Sequence, residues 1–310
     1  MADSAFIKKL KNEMGEDFFK TEVRDGWTVT EKVKKNWALC LDLYKNFKSI
    51  CGKYDLKHFV IGGTLLGAVR HKGFIPWDDD FDMAMPRADY DKLTALPESV
   101  FNEPYFLQTP FTDEGYFYSY SRLCNYHATA INWHFRYNRF NLGAFIDIYP
   151  LDKCKLETRK ENEAKVYEFI MKCSALMRLT NPDPPESDKQ RFQKWLMGET
   201  RTGKELYCEI QRIASQYENE NLDLLGACAV TPYKAEKLTW RADSFKESVE
   251  LEFEGIKVTA PIGYDEVLKV NFGDYMIFPP LESRGKQHDL IIEPDIPYKE
   301  YCALNYGTKY

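Results

Sequence analysis

GGTLLGAVRHKGFIPWDDDFDMAM, residues 62–85, sets two glycines ahead of a short helix-like run and then four aspartates within five positions. The flanking residues decide how the cluster is read. His58–Ile61 reads as a short strand entering Gly62-Gly63, Thr64–Arg70 as a short helix, and Phe81–Met85 as a second strand. Side chains two apart on a strand share a face, roughly 6.6 Å apart. Asp80 and Asp82 then project together, while Phe81, Met83 and Met85 point into a core. Two carboxylates on one face need a positive partner or a proton. A divalent cation is the simplest partner, and oxygen ligands without nearby His or Cys favour Mg²⁺ or Mn²⁺ over Zn²⁺. A solvated acidic turn is the competing reading. A calcium loop would share the spacing of Asp78, Asp80 and Asp82, but it wants Gly at its sixth position and Glu at its twelfth, where this chain has Met83 and Asp89.

A third carboxylate lies further along, in AFIDIYP. Asp147 is flanked by Ile146 and Ile148 on the opposite face, and a lone charge in an apolar strand is costly unless paired. If the two strands are neighbours, Asp147 completes an acidic triad; otherwise it bonds a nearby loop. The glycine pair permits a tight turn and close backbone approach. The free N–H groups of Gly63, Thr64 and Leu65 at the helix start could cradle a phosphate. Arg70, His71 and Lys72 follow that helix, where cations also suit the helix dipole. SRGKQHD, residues 283–289, brings Arg284, Lys286 and His288, which either fold back over phosphates or remain a solvated tail.

The whole chain bounds these readings. It has 310 residues, 44% hydrophobic and 29% charged, which describes a soluble globular protein with a sizeable core. A net charge of −6 argues against a nucleic-acid partner. Its 8 cysteines include no CxxC pair, so zinc is not indicated, and their scatter suits reduced thiols in the cytoplasm. The N-terminal residues lack the long apolar stretch of a signal peptide, and no apolar run is long enough for a membrane span. Further helices are expected at 28–50 (capped by Thr30), from about Arg87 to Leu96, at 157–180, 188–197, 203–218 and from Tyr264 to Val270. Further strands are expected at Tyr105–Gln108, Tyr118–Cys124 and Ala144–Tyr149. A hairpin turning at Glu254-Gly255 and an irregular tail from Phe278 complete the reading.

The ordered set Gly62-Gly63, Arg70-His71-Lys72-Gly73, Ile75-Pro76-Trp77-Asp78-Asp79-Asp80-Phe81-Asp82 and Met85-Pro86-Arg87 resembles the LicD family, which includes the fukutin-related sugar phosphotransferases. FIDIYPLD at 145–152 and FGDYMIFPP at 272–280, followed by His288, extend the match. Phe81 stands where the family usually has Ile or Val. The resemblance implies an α+β fold, a nucleotidyltransferase-like mixed sheet with flanking helices and a helical insertion. The expected organisation is a core with N-terminal helices over 1–150, an acceptor-related helical subdomain over 151–240, and a C-terminal hairpin and tail over 241–310 that return to the active site. The implied activity moves phosphocholine, or a similar phospho-alcohol, from CDP-choline or another CDP-alcohol to a hydroxyl of a cell-surface glycan (lipopolysaccharide, teichoic acid or capsule), releasing CMP. The glycan acceptor could be lipid-linked, with the enzyme cytoplasmic and peripheral at the inner face of the membrane.

The family's metal carboxylates fall on Asp80, Asp82 and Asp147, with Mg²⁺ or Mn²⁺ as cofactor. The expected donor-binding residues are Gly62, Gly63, Thr64, Arg70, Lys72, Trp77, Arg284, Lys286 and His288. Trp77, Tyr116, Tyr118, Trp133 and Tyr137 are candidates for caging a quaternary ammonium. Two other functions fit the same motifs: a nucleotidyltransferase that moves a nucleoside monophosphate to a small substrate, and a non-catalytic nucleotide or metal binder.

Overall fold

A computed structural model describes residues 3–181, 186–230, 237–285, 290–308 and 310. Lys286 and His288 lie outside the described residues. In chain order the helices are α1 (Ala5–Met14), α2 (Glu31–Tyr54), α3 (Gly62–Arg70), α4 (Arg87–Thr94), α5 (Leu156–Arg178), α6 (Glu186–Leu196), α7 (Gly203–Ala214), α8 (Tyr264–Phe272) and α9 (Tyr298–Tyr306). The strands are β1 (Glu22–Arg24), β2 (Trp27–Val29), β3 (Phe59–Val60), β4 (Asp82–Pro86), β5 (Tyr105–Gln108), β6 (Ser121–Asn125), β7 (Thr129–Asn132), β8 (Ala144–Lys153), β9 (Leu224–Gly226), β10 (Thr239–Arg241), β11 (Ser248–Phe253), β12 (Ile256–Pro261) and β13 (Leu290–Glu293).

The fold is α+β. Its main sheet has seven strands, centred on β8. One edge of β8 holds β4 in parallel, with Asp82 opposite Asp147 and Pro86 opposite Leu151. The other edge pairs with β6 over residues 144–148 and with β9 at 152–153, both antiparallel. β3 extends the sheet beyond β4, β5 beyond β6, and β10 beyond β9. The sequence suggests that β8 ends at Tyr149, because proline cannot donate to a ladder. The strand instead continues through Pro150 to Lys153.

α2 lies under the sheet. Thr30 Oγ1 accepts from Val33 N at its start, and Asp55, at φ 52°, closes its end. Trp37, Leu41, Tyr44 and Phe47 on α2 are fully buried. They join Phe59, Phe81, Met83, Ile146 and Ile148 from the sheet, and Phe253, Val258 and Ala260 from the β11–β12 hairpin, in one core. Each such side chain contributes roughly 1.5–3 kcal/mol of burial free energy. Glu254 and Gly255, at φ 46° and 77°, make the expected two-residue hairpin turn.

α5 and α7 pack through Val166, Cys173, Leu206, Ile210 and Ile213 into a separate cluster. Thr202 and Glu205 form a capping box at the start of α7. The C-terminal stretch is not the irregular tail that Pro279-Pro280 suggests. β13 pairs with β7, and α9 buries Tyr298 and Cys302 against Ile131 and Phe140. The apolar run Leu290-Ile291-Ile292 gains a ladder it could not signal alone.

His58, just before β3, is buried between Tyr44 and Phe47, and burial pushes its imidazole down to about 4. A histidine free at about 6.5 when unfolded but neutral when folded lets the unfolded state bind more protons between those values. Stability should therefore fall as pH drops from 6.5 toward 4, by up to about 3 kcal/mol from this residue. Denaturant titrations of wild type and His58→Gln across that window should show a flatter pH dependence in the variant.

Candidate active site

Two buried aromatics bracket the acidic loop. Phe74 stacks on Trp37 with ring centroids 4.8 Å apart, and Phe81 packs against Tyr44 and Phe253 at 5.2 and 5.5 Å. The larger ring at 81 thus fills the core between α2 and the hairpin. Between these anchors, α2 grips the backbone from below. Trp37 Nε1 donates to the Asp78 carbonyl at 3.0 Å and Asn36 Nδ2 to the Asp79 carbonyl at 2.7 Å. Behind the loop, Arg24 ion-pairs with Glu254, and Glu254 Oε1 accepts from Phe74 N at 3.2 Å. The span is pinned on several sides, so its side chains cannot drift apart to relieve their repulsion.

Asp78, Asp79 and Asp80 each offer an oxygen within 4.8 Å of the others. β4 begins at Asp82, so Asp80 lies on the approach to the strand rather than inside it. Asp147 is brought beside Asp82 by the parallel register. The Tyr149 hydroxyl stands 3.3 Å from Asp82 Oδ1 and 3.2 Å from Asp147 Oδ2, so one proton serves two carboxylates. Burial first, and then Asp80, Asp147 and Asp78, push the Asp82 carboxyl well above its ordinary range. The buried thiol of Cys40, beneath the loop on α2, is pushed up by burial and by Asp80, Asp79, Asp147 and Asp78.

Sequence reasoning passes over Arg122. Its Nε donates to Asp147 Oδ1 at 2.7 Å, and its guanidinium lies against Phe145, Tyr118 and Tyr120. Cross-strand pairing of Arg122 with Asp147 sets this contact. The only cue in the sequence is a cation among the tyrosines of YFYSYSR. Asp78 stands in the acidic string with no signal of its own beyond its charge; it is buried and faces the glycine turn.

That turn is where the two glycines act. A Cβ on Gly63 would lie 2.6 Å from Asp78 Oδ2, and one on Gly62, at φ +56°, would lie 3.0 Å from Asp82 Oδ2. Glycine is needed because carboxylate oxygens occupy the space a side chain would fill. Thr64 Oγ1 accepts from Asp82 N at 2.9 Å, tying the helix to the strand. No side chain caps the start of α3, and the first intrahelical acceptor, Ile61 O, serves Leu65. The N–H groups of Gly62, Gly63 and Thr64 therefore lie beyond the reach of the helix's own ladder. In a Gly63→Ala variant the Asp78 carboxylate must swing away. Circular dichroism should still show an intact fold, because alanine favours helix over glycine by about 0.8–1.0 kcal/mol.

The basic candidates gather elsewhere. Arg70 Nη1 donates to the carbonyls of Tyr275 and Ile277 at 2.7 and 3.4 Å, and Arg70 faces Phe278. Arg284 lies over Trp77, 4.4 Å from the ring centroid, and donates to the carbonyls of Pro279 and Asp25. Trp77, Arg70 and Arg284 thus share one aromatic and cationic cluster that begins one residue before Asp78. Lys72 is exposed, with φ 57°. Among the aromatic cage candidates, Tyr116 is fully buried, Tyr118 borders Arg122, Trp133 is exposed and stacks with Arg136, and Tyr137 meets Tyr306.

A glycine turn and helix thus face a pinned carboxylate cluster on a mixed sheet. Residues 55–175 match the family model described as LicD/FKTN/FKRP, nucleotidyltransferase domain, and the chain carries a domain of the LicD family. It is similar to the lipopolysaccharide cholinephosphotransferase LicD of Haemophilus influenzae, 26% identical over 275 residues, which span 83% of this chain and 96% of the relative. It also resembles an uncharacterized protein of Rickettsia prowazekii, 36% identical over 102 residues, 31% of this chain and 34% of that protein. No helix of the described residues is long and apolar enough to cross a membrane.

Proposed function

We propose that this protein is a transferase that moves phosphocholine, or a similar phospho-alcohol, from a CDP-linked donor to a hydroxyl of a cell-surface glycan and releases CMP. The observation that carries the reading is the carboxylate cluster packed against Gly62 and Gly63 at the start of α3. The similarity to a lipopolysaccharide cholinephosphotransferase supports the head group and the kind of acceptor. We place the reaction in the cytoplasm.

The donor set fits a hard divalent ion. Asp78, Asp79 and Asp80 bring carboxylate oxygens within 4.8 Å of one another, and burial first, then Asp80, Asp147 and Asp78, raise the Asp82 carboxyl, a cost that a cation would offset. Asp80 and Asp82 would hold Mg²⁺ or Mn²⁺, which when bound neutralises charge on the donor diphosphate. The N–H groups of Gly63 and Thr64 orient phosphate oxygens for in-line attack. Asp147 completes the acidic set and takes up the proton of the attacking hydroxyl on Oδ2, the oxygen that faces Tyr149 rather than Arg122. Arg122 holds Asp147 in place for this task. Arg70, Trp77 and Arg284 border the donor's path.

The test is a panel of CDP-choline, CDP-ethanolamine and CDP-polyols with Mg²⁺ and a glycan acceptor, following CMP. CMP release that depends on both acceptor and divalent ion is expected. Pyrophosphate release from a nucleoside triphosphate would move the assignment to nucleotidyl transfer. Tight binding with no turnover on any acceptor would make the protein a binder only.

A further inference from the structure

Cys154 follows β8 directly, and Cys228 stands just beyond the end of β9, so the two mark the entry and the exit of the segment that carries α5, α6 and α7. The ladder between β8 and β9 draws them together, with Asp152 opposite Gly226 and Cys154 N donating to Leu224 O at 3.1 Å. Their thiols hydrogen-bond to each other and line one cavity of about 10 Å³, room for a single water-sized molecule. Arg159, in the first turn of α5, reaches the same spot. Its Nη1 donates to Cys228 Sγ, and its Nη2 is buried with no hydrogen-bond partner among the described residues. A Cβ on Gly226 would lie 3.1 Å from Arg159 Nη2, so the glycine leaves the room that the guanidinium uses. Glu163 pairs with Arg159 Nε at 2.8 Å and offsets part of its charge.

We propose that Cys154 and Cys228 are an oxidisable dithiol, which hydrogen peroxide converts to a disulfide that clamps the base of the helical segment to the sheet. The thiolate is the form that attacks. Burial pushes the thiols of Cys40, Cys51, Cys124, Cys173 and Cys302 up. Cys154 comes down instead: the hydrogen bond with Cys228 is the main cause and Arg159 adds to it, against burial and Asp152. Cys228 keeps the shared proton and is half-buried, so the cavity opens on its side. The Cys154 thiolate attacks one peroxide oxygen, the O–O bond breaks, and the departing hydroxide takes up a proton as water. Cys228 then gives up its proton, and its sulfur displaces the hydroxyl of the sulfenic acid, forming the S–S bond and a second water. Each sulfur is oxidised by one electron, and the peroxide takes both. In a reducing compartment the pair rests as thiols and closes only when an oxidant arrives.

The test treats the full chain with hydrogen peroxide, maps cross-linked peptides by mass spectrometry without reduction, and follows the melting temperature; it needs no activity. A bridge between Cys154 and Cys228, two hydrogens lighter than the thiols and reversed by dithiothreitol, is expected. It should form about 10-fold faster than peroxide oxidises Cys208, an exposed thiol with no such neighbours. The oxidised protein should melt roughly 5 °C higher, because the bridge closes a long loop. Cys228→Ser and Cys154→Ser should each keep the fold by circular dichroism and show neither the bridge nor the rise. Both thiols still free once Cys208 is oxidised, or a bridge to another cysteine in their place, would overturn the proposal. So would a Cys154–Cys228 bridge that leaves the melting temperature unchanged, since it would clamp nothing.

Discussion

Asp82→Asn abolishes transfer and at the same time raises the melting temperature of the metal-free protein: this paired outcome is what the geometry leads us to expect. The carboxyl of Asp82 is held among Asp78, Asp80 and Asp147 by a loop pinned at Phe74, Phe81, Trp37 and Asn36. Its folded-state proton affinity is raised, so the folded state binds more protons than the unfolded chain. This residue's contribution to stability is therefore fully present below the ordinary carboxylate range and is lost as pH rises from there through the raised folded value. Above it an amide removes the cost of burial and repulsion, and the melting temperature should rise by roughly 2–4 °C for each kcal/mol of that cost relieved. The same change removes a proposed ligand, so turnover should fall by about 1,000-fold or more. The stabilisation that Mg²⁺ gives the wild type should shrink as well. Calorimetry with and without Mg²⁺, beside a CMP assay, reads all three. A variant that keeps full activity removes Asp82 from the proposed chemistry.

Arg87→Ala should destabilise the fold more than any change at the acidic cluster. Arg87 Nε donates to Asp152 Oδ1 at 2.6 Å, and its Nη1 reaches Gln211 Oε1 on α7 at 2.9 Å. Asp152 is fully buried, and burial pushes its carboxyl up even with the arginine beside it. Without Arg87 that carboxylate loses its bonded counter-charge and keeps only the pull of Arg159, a loss of about 3–5 kcal/mol and a melting temperature lower by on the order of 10 °C. The deficit should narrow at acid pH, where the orphaned carboxyl takes up a proton. Arg87→Met/Asp152→Leu should recover most of the loss, because an apolar pair of similar volume needs no desolvated charge. Thermal melts of the three proteins at two pH values test this; a double variant no better than Arg87→Ala would mean that packing, not charge, is what the arginine supplies.

The acidic string, the glycine pair and the alternation around Phe81 and Asp147 were legible because each is local. The Thr30 cap and helical spacing of α2 and the turn at Glu254-Gly255 were local too, whereas the mixed sheet came with the family resemblance. What the glycines do was only half legible. Their freedom of turn can be read from residue type, but the carboxylate oxygens in place of their side chains depend on how the 74–81 loop folds back. Arg122 was not legible at all, since its partner is fixed by an antiparallel register between segments 25 residues apart. Arg70 and Arg284 looked like phosphate ligands by charge and position; their bonds to backbone carbonyls depend on a loop more than 200 residues away from Arg70. β13 was missed because a run of only four residues becomes a strand beside β7 and carries no alternation of its own.

The register between β4 and β8 has one further consequence. Asp82 faces Asp147, and five residues further along each segment Arg87, the first residue of α4, meets Asp152 of β8. Both matches use the same offset, so a slip of one residue would undo them together. The buried pair at the far end works as a keyway: it admits a single alignment of the two strands, and the acids at the near end inherit their spacing from it.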